Sequence, residues 1–270
     1  MPILDGLRKK NAIVTGGAGF LGKHFCEALA RAGVNVAVVD LDAKMAQAFA
    51  KSLVVKFKVK AVGIGCDVSS QASVKKMVSE AVKALGSIDI LHNNAASKSE
   101  NLDAFFASFE DYSLEEWRKI MGVNVDGMFL VAQAVGRQMI KQKKGGSIIQ
   151  TASIYGIMAP DHRIYEGSFY LGRQISSPAV YSASKGAVVA LTKYLAAYWA
   201  KHHIRVNTLT PGGVESGQNK TFKKKYSNRI PLGRMARADE MVGAVLYLAS
   251  DASSYVTGHN LIVDGGLNAW

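Results

Sequence analysis

The sequence predicts an α/β protein, a doubly wound parallel sheet of seven strands in a single domain. Three observations carry that expectation. Seven short runs rich in Val and Ile alternate with segments of helical length, and the first run passes into a glycine-rich turn that opens a helix. A chain of 270 residues at 49% hydrophobic composition can fill one large core, and no Pro-rich or low-complexity linker divides it.

In chain order the β-like runs are "NAIVTG" (11–16), "VNVAVVD" (34–40), "AVGIGCDV" (61–68), "IDILHNN" (88–94), "GSIIQTAS" (146–153), "IRVNTLTP" (204–211) and "NLIVDGG" (260–266). Most are continuously apolar, as expected of strands buried on both faces of a parallel sheet. Helical patterns fill the spaces between them, at 20–32, 70–85, 115–140, 181–202 and 238–250. Right-handed crossovers through such helices give the Rossmann arrangement, in which ligands bind beyond the carboxyl ends of the strands. The residues just after each run are therefore the ones to inspect.

Composition narrows the partners. No stretch approaches the roughly 18 uncharged apolar residues of a spanning helix, and the opening "MPILDGLRKKNAIVTGG" has no charged start followed by an apolar run. A soluble protein without membrane contact is expected. Cys26 and Cys66 are too few for a disulfide scaffold and lack metal-ligand spacing, which favours buried thiols, a cytoplasmic setting and no metal site. The net charge of +12 invites a nucleic-acid partner, but the lysines are dispersed. "KFKVK" (56–60) and "KQKK" (141–144) fall at a strand approach and a helix end, where they read as solvated surface, so no nucleic acid is expected.

The first turn, "TGGAGFLGK", places Gly16, Gly19 and Gly22 between a strand and a helix, with Phe20 and Leu21 inside the motif. Glycines there allow backbone to approach a pyrophosphate, and the helix N-terminus offers free N–H groups to its charge. Asp40 ends the second strand eighteen residues beyond Gly22, where a carboxylate can accept from adenosine ribose hydroxyls and repel a 2′-phosphate. NAD is therefore expected in preference to NADP. Asp67 and Val68, then Asn94 and Ala95, finish the next two strands, where the adenine edge and the cofactor backbone would pass.

"YSASK" opens the helix after the fifth strand and sets Tyr181 and Lys185 four residues apart, on one helical face. An ammonium beside a phenol favours the phenolate and brings tyrosine toward useful acid–base range. None of the other nine tyrosines has a lysine four residues on. With "TGGAGFLG", "NNAA" (93–96), Asn124-Val125, "TAS" (151–153), "YSASK", "PGGVES" (211–216) and "VDGG" (263–266) in this order, the sequence resembles the short-chain dehydrogenase/reductase family over essentially its whole length. The resemblance implies that Tyr181 is the general acid/base and that Ser153 hydrogen-bonds the substrate oxygen. It implies further that Lys185 holds nicotinamide ribose hydroxyls and tunes Tyr181, and that Asn124 anchors the water of a proton relay. Pro211 and Gly212 would border the cofactor, and Val214 with Ser216 would orient its carboxamide.

Two positions depart from the family pattern. The glycine spacing is that of the extended branch, although only 89 residues follow Tyr181, too few for a separate substrate domain, and Ala96 stands where glycine is usual. Ser168 lies thirteen residues before Tyr181, the usual separation of the family serine; Ser153 is preferred because it follows a strand end directly. The 28-residue gap between Ser153 and Tyr181 marks 160–178, "PDHRIYEGSFYLGRQISSP", as an insertion at the active-site rim. Its charged and aromatic side chains suit a polar or anionic ligand, a surface loop or a subunit contact.

Residues 212–232 correspond to the family's substrate lid, and "KTFKKKY" (220–226) within it offers Lys220, Lys223, Lys224 and Lys225 either as a screen for phosphate or an acidic carrier, or as a solvated helix face. The expected activity is NAD-dependent hydride transfer at a secondary alcohol or ketone of a polar, sugar-like substrate. An NADPH-dependent 3-oxoacyl-[acyl-carrier-protein] reductase is the alternative, followed by a non-catalytic NAD-binding module. The "SIYG…IYEG" pattern resembles reductases of bacterial surface-sugar and flagellin-glycan pathways. Small and apolar faces of helices 115–140 and 181–202 correspond to subunit contacts in the family, so a homodimer or homotetramer is expected.

Overall fold

The computed structural model describes residues 6–97, Ser99 and 101–270; residues 1–5 of the opening stretch lie outside the described residues. Seven parallel strands, β1 (Asn11–Thr15), β2 (Asn35–Asp40), β3 (Ala61–Gly65), β4 (Ile90–Asn93), β5 (Gly146–Thr151), β8 (Ile204–Pro211) and β9 (Asn260–Val263), form one sheet. Their order is β3-β2-β1-β4-β5-β8-β9. Each predicted run is a strand of this sheet. The order reverses between β1 and β4, and a crevice opens at such a switch point, outside the carboxyl ends.

Alternation within the strands divides the core between two faces. In β1, Ile13 points into one apolar cluster while Ala12 and Val14 point into the other, and in β2 Ala37 and Val39 oppose Val36 and Val38 in the same way. Helices α1 (Phe20–Arg31), α2 (Ala43–Phe57) and α9 (Val242–Ala249) cover one face through Phe25, Leu53 and Val245. Helices α3 (Gln71–Leu85), α6 (Met128–Gln142) and α7 (Ala179–Trp199) cover the other through Met77, Val135 and Trp199. Among the described residues, no helix is long and apolar enough to cross a membrane.

Local chemistry sets the helix ends. Asp42 caps α2 by accepting from the Met45 amide at 3.0 Å, and Ser70 caps α3 by accepting from Ser73 at 3.3 Å; such caps contribute about 1 kcal/mol each. The 56–60 run both closes α2, with Lys58 at a left-handed φ of 58°, and leads into β3. The expected helix over 115–140 is longer and interrupted: α5 (Leu114–Met121) runs into α6 through a wide π-helical turn at Gly122–Gly127.

The 160–178 segment has structure of its own. A short 3-10 turn (His162–Tyr165) leads to a hairpin, β6 (Phe169–Tyr170) against β7 (Arg173–Gln174), whose connection places Leu171 and Gly172 at φ 49° and 78°. Both central residues of a type I′ hairpin turn require positive φ, for which glycine is suited. The segment packs within the chain on α8 (Lys220–Ser227): Tyr165 stacks on Phe222 at 5.6 Å, and Phe222 on Tyr226 at 5.5 Å. Lys225 donates to the carbonyls of Arg163 and Glu166 at 3.0 and 2.8 Å, and Asn219 donates to that of Phe169 at 3.0 Å. At its far end Arg173 grips both carboxylate oxygens of Asp103, on the short helix α4 (Leu102–Phe105).

Candidate active site

A cleft of about 760 Å³ opens at the carboxyl ends of β1, β2, β4 and β5. Gly16, Gly19, Phe20, Leu21 and Gly22 line it from the first turn, Asp40 and then Asp67 with Val68 from the next two strands, and Asn94 with Ala95 from the fourth. Ser153, Tyr181, Lys185, Pro211, Gly212, Val214 and Ser216 complete the wall. Of the catalytic and cofactor-binding residues expected from the sequence, all but Asn124 line this cleft.

The glycine turn is tight for two separable reasons. Gly16 has a φ of 61°, a conformation costly for any residue with a Cβ. At Gly22, an added Cβ would lie 1.9 Å from the Gly16 carbonyl oxygen, whereas at Gly19 the nearest atom would be 3.2 Å away. Gly16 and Gly22 thus make the close approach, and Gly19 only helps. Asp40 braces the turn from β2: its Oδ2 accepts from the Ala18 amide at 3.0 Å.

Beneath the cleft lies a polar layer that the sequence reading did not single out. Thr15 Oγ1 accepts from the amides of Asn94 and Ala95 at 2.9 and 3.0 Å, and Asn94 Nδ2 donates back to the Thr15 carbonyl at 3.1 Å. Thr151 Oγ1 donates to Asn94 Oδ1 at 3.3 Å and lies 2.9 Å from His92 Nε2. Burial pushes His92 down to about 3, so this ring is neutral, and its Nδ1 has no partner among the described residues. Thr15 and Thr151 end their strands, and that position was the available signal.

The reacting groups meet where β5 gives way to α7. Ser153, the first residue beyond the strand end but one, is buried, caps the following turn by accepting from the Tyr155 amide at 3.3 Å, and lies beside the Tyr181 phenol in the cleft wall. Burial raises that phenol above the usual tyrosine range, and the Ser153 hydroxyl opposes the rise. Lys185 is buried, which lowers its ammonium to about 8, and it donates to the Thr151 carbonyl at 3.0 Å while lying 5.9 Å from the Tyr181 ring centroid. The expected lowering of the phenol by the lysine is therefore not the dominant effect here; burial is. A half-buried phenol and a buried cation at one wall can hold and release a proton beside a substrate oxygen.

Ser168 is placed elsewhere. It is fully buried in the 160–178 segment, with its hydroxyl donating to the Ile164 carbonyl at 3.4 Å. Asn124, in the π-helical turn, accepts from the Ser97 amide at 2.9 Å and donates to Ser184 at 3.3 Å. Ser184 in turn donates to the Tyr181 carbonyl at 2.8 Å, so Asn124 ties the loop after β4 to the start of α7. Of the four lysines around α8, Lys223 pairs with Glu215 and Lys225 with Glu166, while Lys220 and Lys224 are exposed.

Could a dinucleotide fit these residues? The close-packed turn with its first-turn N–H groups, the carboxylate at the end of β2, and an elongated cleft ending at Tyr181 are the features such a cofactor needs. Among the described residues there is no cluster of three or more His, Cys, Asp or Glu side chains that could hold a metal.

Comparison with known proteins agrees with this geometry. The family model described as "Enoyl-(Acyl carrier protein) reductase" matches residues 17–268. The sorbose reductase of Schizosaccharomyces pombe is 35% identical over 271 residues, covering 98% of each chain. A short-chain type dehydrogenase/reductase from Mycobacterium marinum has 37% identity and a TM-score of 0.86, with 100% of both chains covered. A gluconate 5-dehydrogenase from Burkholderia cenocepacia, solved with NADP and tartrate, has 33% identity and a TM-score of 0.86, with 99% of both covered.

Proposed function

The chain belongs to the short-chain dehydrogenase/reductase family, oxidoreductases acting on CH–OH groups, and from that premise we propose an NAD-dependent dehydrogenase of a sugar or polyol. The observation that carries this reading is the convergence of Ser153, Tyr181 and Lys185 on the cleft that also holds the glycine turn and Asp40. Bound nicotinamide would supply or accept the hydride. Tyr181 moves the proton on the substrate oxygen, and Ser153 holds that oxygen and the phenol in line. Lys185 supplies the cation that steadies the ribose end of the cofactor and the phenolate as it forms.

In this reading 212–232 covers the substrate, and 160–178 forms the rim that α8 leans on. The polar rim and the sorbose reductase relative favour a small polyhydroxylated substrate. A nucleotide-linked sugar from a surface-glycan pathway belongs to the same reading and to the same substrate screen. Asn124 acts through position, holding Ser97 and Ser184 about the entrance of α7.

Asp40 is the ground for NAD. Its carboxylate would accept from the ribose hydroxyls and repel a 2′-phosphate, although the gluconate dehydrogenase neighbour holds NADP. The deciding experiment titrates NADH and NADPH into the protein and into Asp40→Ala, followed by a screen of ketoses, polyols and nucleotide-linked sugars. NADH preference that disappears in the variant, with turnover of a ketose or polyol, is the expected result. NADPH preference in the unaltered protein would favour the 3-oxoacyl-[acyl-carrier-protein] reductase, for which the exposed Lys220 and Lys224 speak. Subunit association in a dimer or tetramer is part of the proposal, as is a cytoplasmic setting.

A further inference from the structure

The strands of the large sheet run parallel, so the turns that lead into them share one face, opposite the cleft. Hydrogen bonds lace those turns together in strand order. Asn35 Oδ1 accepts from the Lys60 amide at 2.9 Å, and the Asn35 amide donates to the Lys10 carbonyl at 2.8 Å. The Asp89 amide donates to the Asn11 carbonyl at 2.8 Å and its carbonyl accepts from Ser147 at 3.0 Å, while Gly146 donates to the His203 carbonyl at 3.2 Å. With neighbouring strands about 4.8 Å apart, the row from β3 to β8 is about 24 Å long.

This face carries nearly all of the net charge. Residues 6–10, 31–34, 56–60, 83–89, 141–145, 199–205 and 250–259 hold 13 of the chain's 33 Lys and Arg but only 2 of its 21 Asp and Glu, Asp89 and Asp251. The other 20 cations stand against 19 carboxylates, so 11 of the net 12 positive charges lie here and the rest of the molecule is close to neutral. Among the described residues, Lys10 and Lys56 alone of these cations are ion-paired, with Asp251 and Glu27. Six helices end on this face, and neutralising about half a negative charge at each occupies about three of the cations. Most of the charge has no such use.

Backbone conformation supplies an independent observation. Five non-glycine residues among those described have a left-handed φ, and four of them, Lys9, Lys58, Lys143 and His203, lie on this face at 55–64°. Lys58 and Lys143 close α2 and α6 at the position where glycine is favoured. Stability alone would select glycine there, yet the chain places basic side chains, all exposed. The runs at 56–60 and 141–144 read as solvated surface because they are far apart in sequence. The parallel topology removes that separation, and with it the ground for expecting no nucleic acid.

We propose that this face binds the sugar–phosphate backbone of a nucleic-acid duplex without regard to base sequence. A duplex presents one negative charge per about 1.7 Å of its axis, which a row of cations about 24 Å long can follow. Ten of the 13 cations are lysines, point charges that hold phosphate but do not read bases. Tyr255 is the one exposed large apolar side chain in these turns. That leaves too little apolar surface to enter a bilayer and too few rings to stack unpaired bases.

The test is fluorescence anisotropy of the full chain with two labelled DNA duplexes of about 24 base pairs and unrelated sequence, from about 50 to 200 mM salt. Both should bind alike, with log affinity falling against log salt at a slope steeper than about −3, the mark of four or more phosphate contacts. Lys58→Gly with Lys143→Gly should weaken both duplexes by about tenfold and flatten the slope by about 2. The same variant should melt at a higher temperature, since glycine relieves the left-handed positions, and should bind NADH as before. Lys58→Gln with Lys143→Gln should weaken the duplexes equally with little change in melting, which separates charge from backbone. Lys75→Gln, exposed near the opposite end of α3, should leave the affinity within about twofold.

No binding at about 50 mM salt, a slope shallower than about −3, or lysine variants that bind like the unaltered protein would overturn the proposal. So would a tenfold preference between the two sequences. Tighter binding to vesicles containing phosphatidylserine than to either duplex would also overturn it and make the face a membrane contact. None of these readouts uses dehydrogenase turnover, so this proposal and the proposed function fail separately.

Discussion

The Lys185 ammonium donates to the Thr151 carbonyl at 3.0 Å, so the buried cation of the candidate site is held by the last residue of β5. Burial lowers it to about 8, against about 10.4 for a free lysine. Below about 8 the cation is present, and NADH affinity should be constant; above that it should fall as the charge is lost. Lys185→Met should bind NADH more weakly at pH 7 and show no such limb. The stability sign is opposite. Between about 8 and 10 the unfolded chain holds more protons on this group than the folded one, so the stability of the native protein relative to Lys185→Met should rise with pH in that window. Denaturant unfolding of both proteins at pH 7, 8.5 and 9.5 measures it.

Tyr181 is held as a phenol by burial, which makes it the proton donor for a ketone at neutral pH. Tyr181→Phe should lower kcat by about 10²–10⁴-fold while leaving NADH affinity near that of the unaltered protein. Ser153→Ala should show a loss of similar kind and Ser168→Ala none, since the Ser168 hydroxyl is spent on the Ile164 carbonyl. Stopped-flow reduction of the best ketose from the screen gives all three numbers, and a larger loss at Ser168 would reverse the assignment of the two serines.

The glycine turn separates residues that the motif treats alike. Gly22→Ala would press a methyl into the Gly16 carbonyl and should cost about 1–3 kcal/mol or more, with loss of NADH binding. Gly19→Ala should cost less and still bind NADH, because its neighbour at 3.2 Å need give only slightly. Thermal melts and NADH titration of the two variants distinguish them.

These two serines and these glycines also show where sequence reading ends. Apolar runs of four to eight residues mark strands because a parallel sheet buries both faces, so all seven strands were legible, along with the strand-end residues that line the cleft. Contacts made across long separations were not. The stacking of Tyr165 on Phe222 joins residues 57 apart in sequence, and nothing local to either announces the other. The π-helical turn at Gly122–Gly127 was hidden because its side chains keep a helical pattern on either side. Thr15 and Thr151 escaped notice because a threonine at a strand end is ordinary until its hydrogen-bond partners are seen. The wall occupied by Ser153, Tyr181 and Lys185 was legible because a strand end and a helix start were both readable there.

The proposed subunit association has its candidate seam on α6 and α7. Phe129 on α6 is 46% exposed, and Tyr194 and Tyr198 on α7 are 63% and 58% exposed and stacked on each other at 5.8 Å. Aromatic residues left on the surface in this way are typical of the apolar centre of an interface. Phe129→Asp with Tyr194→Asp should give a monomer by light scattering at micromolar concentration, where the unaltered protein is expected to be a dimer or tetramer. A monomeric unaltered protein would refute the association.

The last prediction concerns the joint between 160–178 and α8. Lys225 donates to two backbone carbonyls of the segment, those of Arg163 and Glu166, and so ties the helix to the rim through two of its three ammonium donors. Lys225→Met keeps the apolar stem of the side chain but loses both bonds and the ion pair with Glu166. Because neither carbonyl touches the cleft, NADH affinity should stay within about twofold. The rim and helix should then order less well around a substrate, raising KM by a few-fold with a smaller change in kcat, as expected when binding is weakened more than the chemical step. Had the lysine served to attract an anionic substrate, the loss would be large for a phosphorylated sugar and absent for a neutral polyol. Equal losses for sorbose and for a sugar phosphate would mark Lys225 as a joint, and a loss confined to the phosphate would mark it as a ligand.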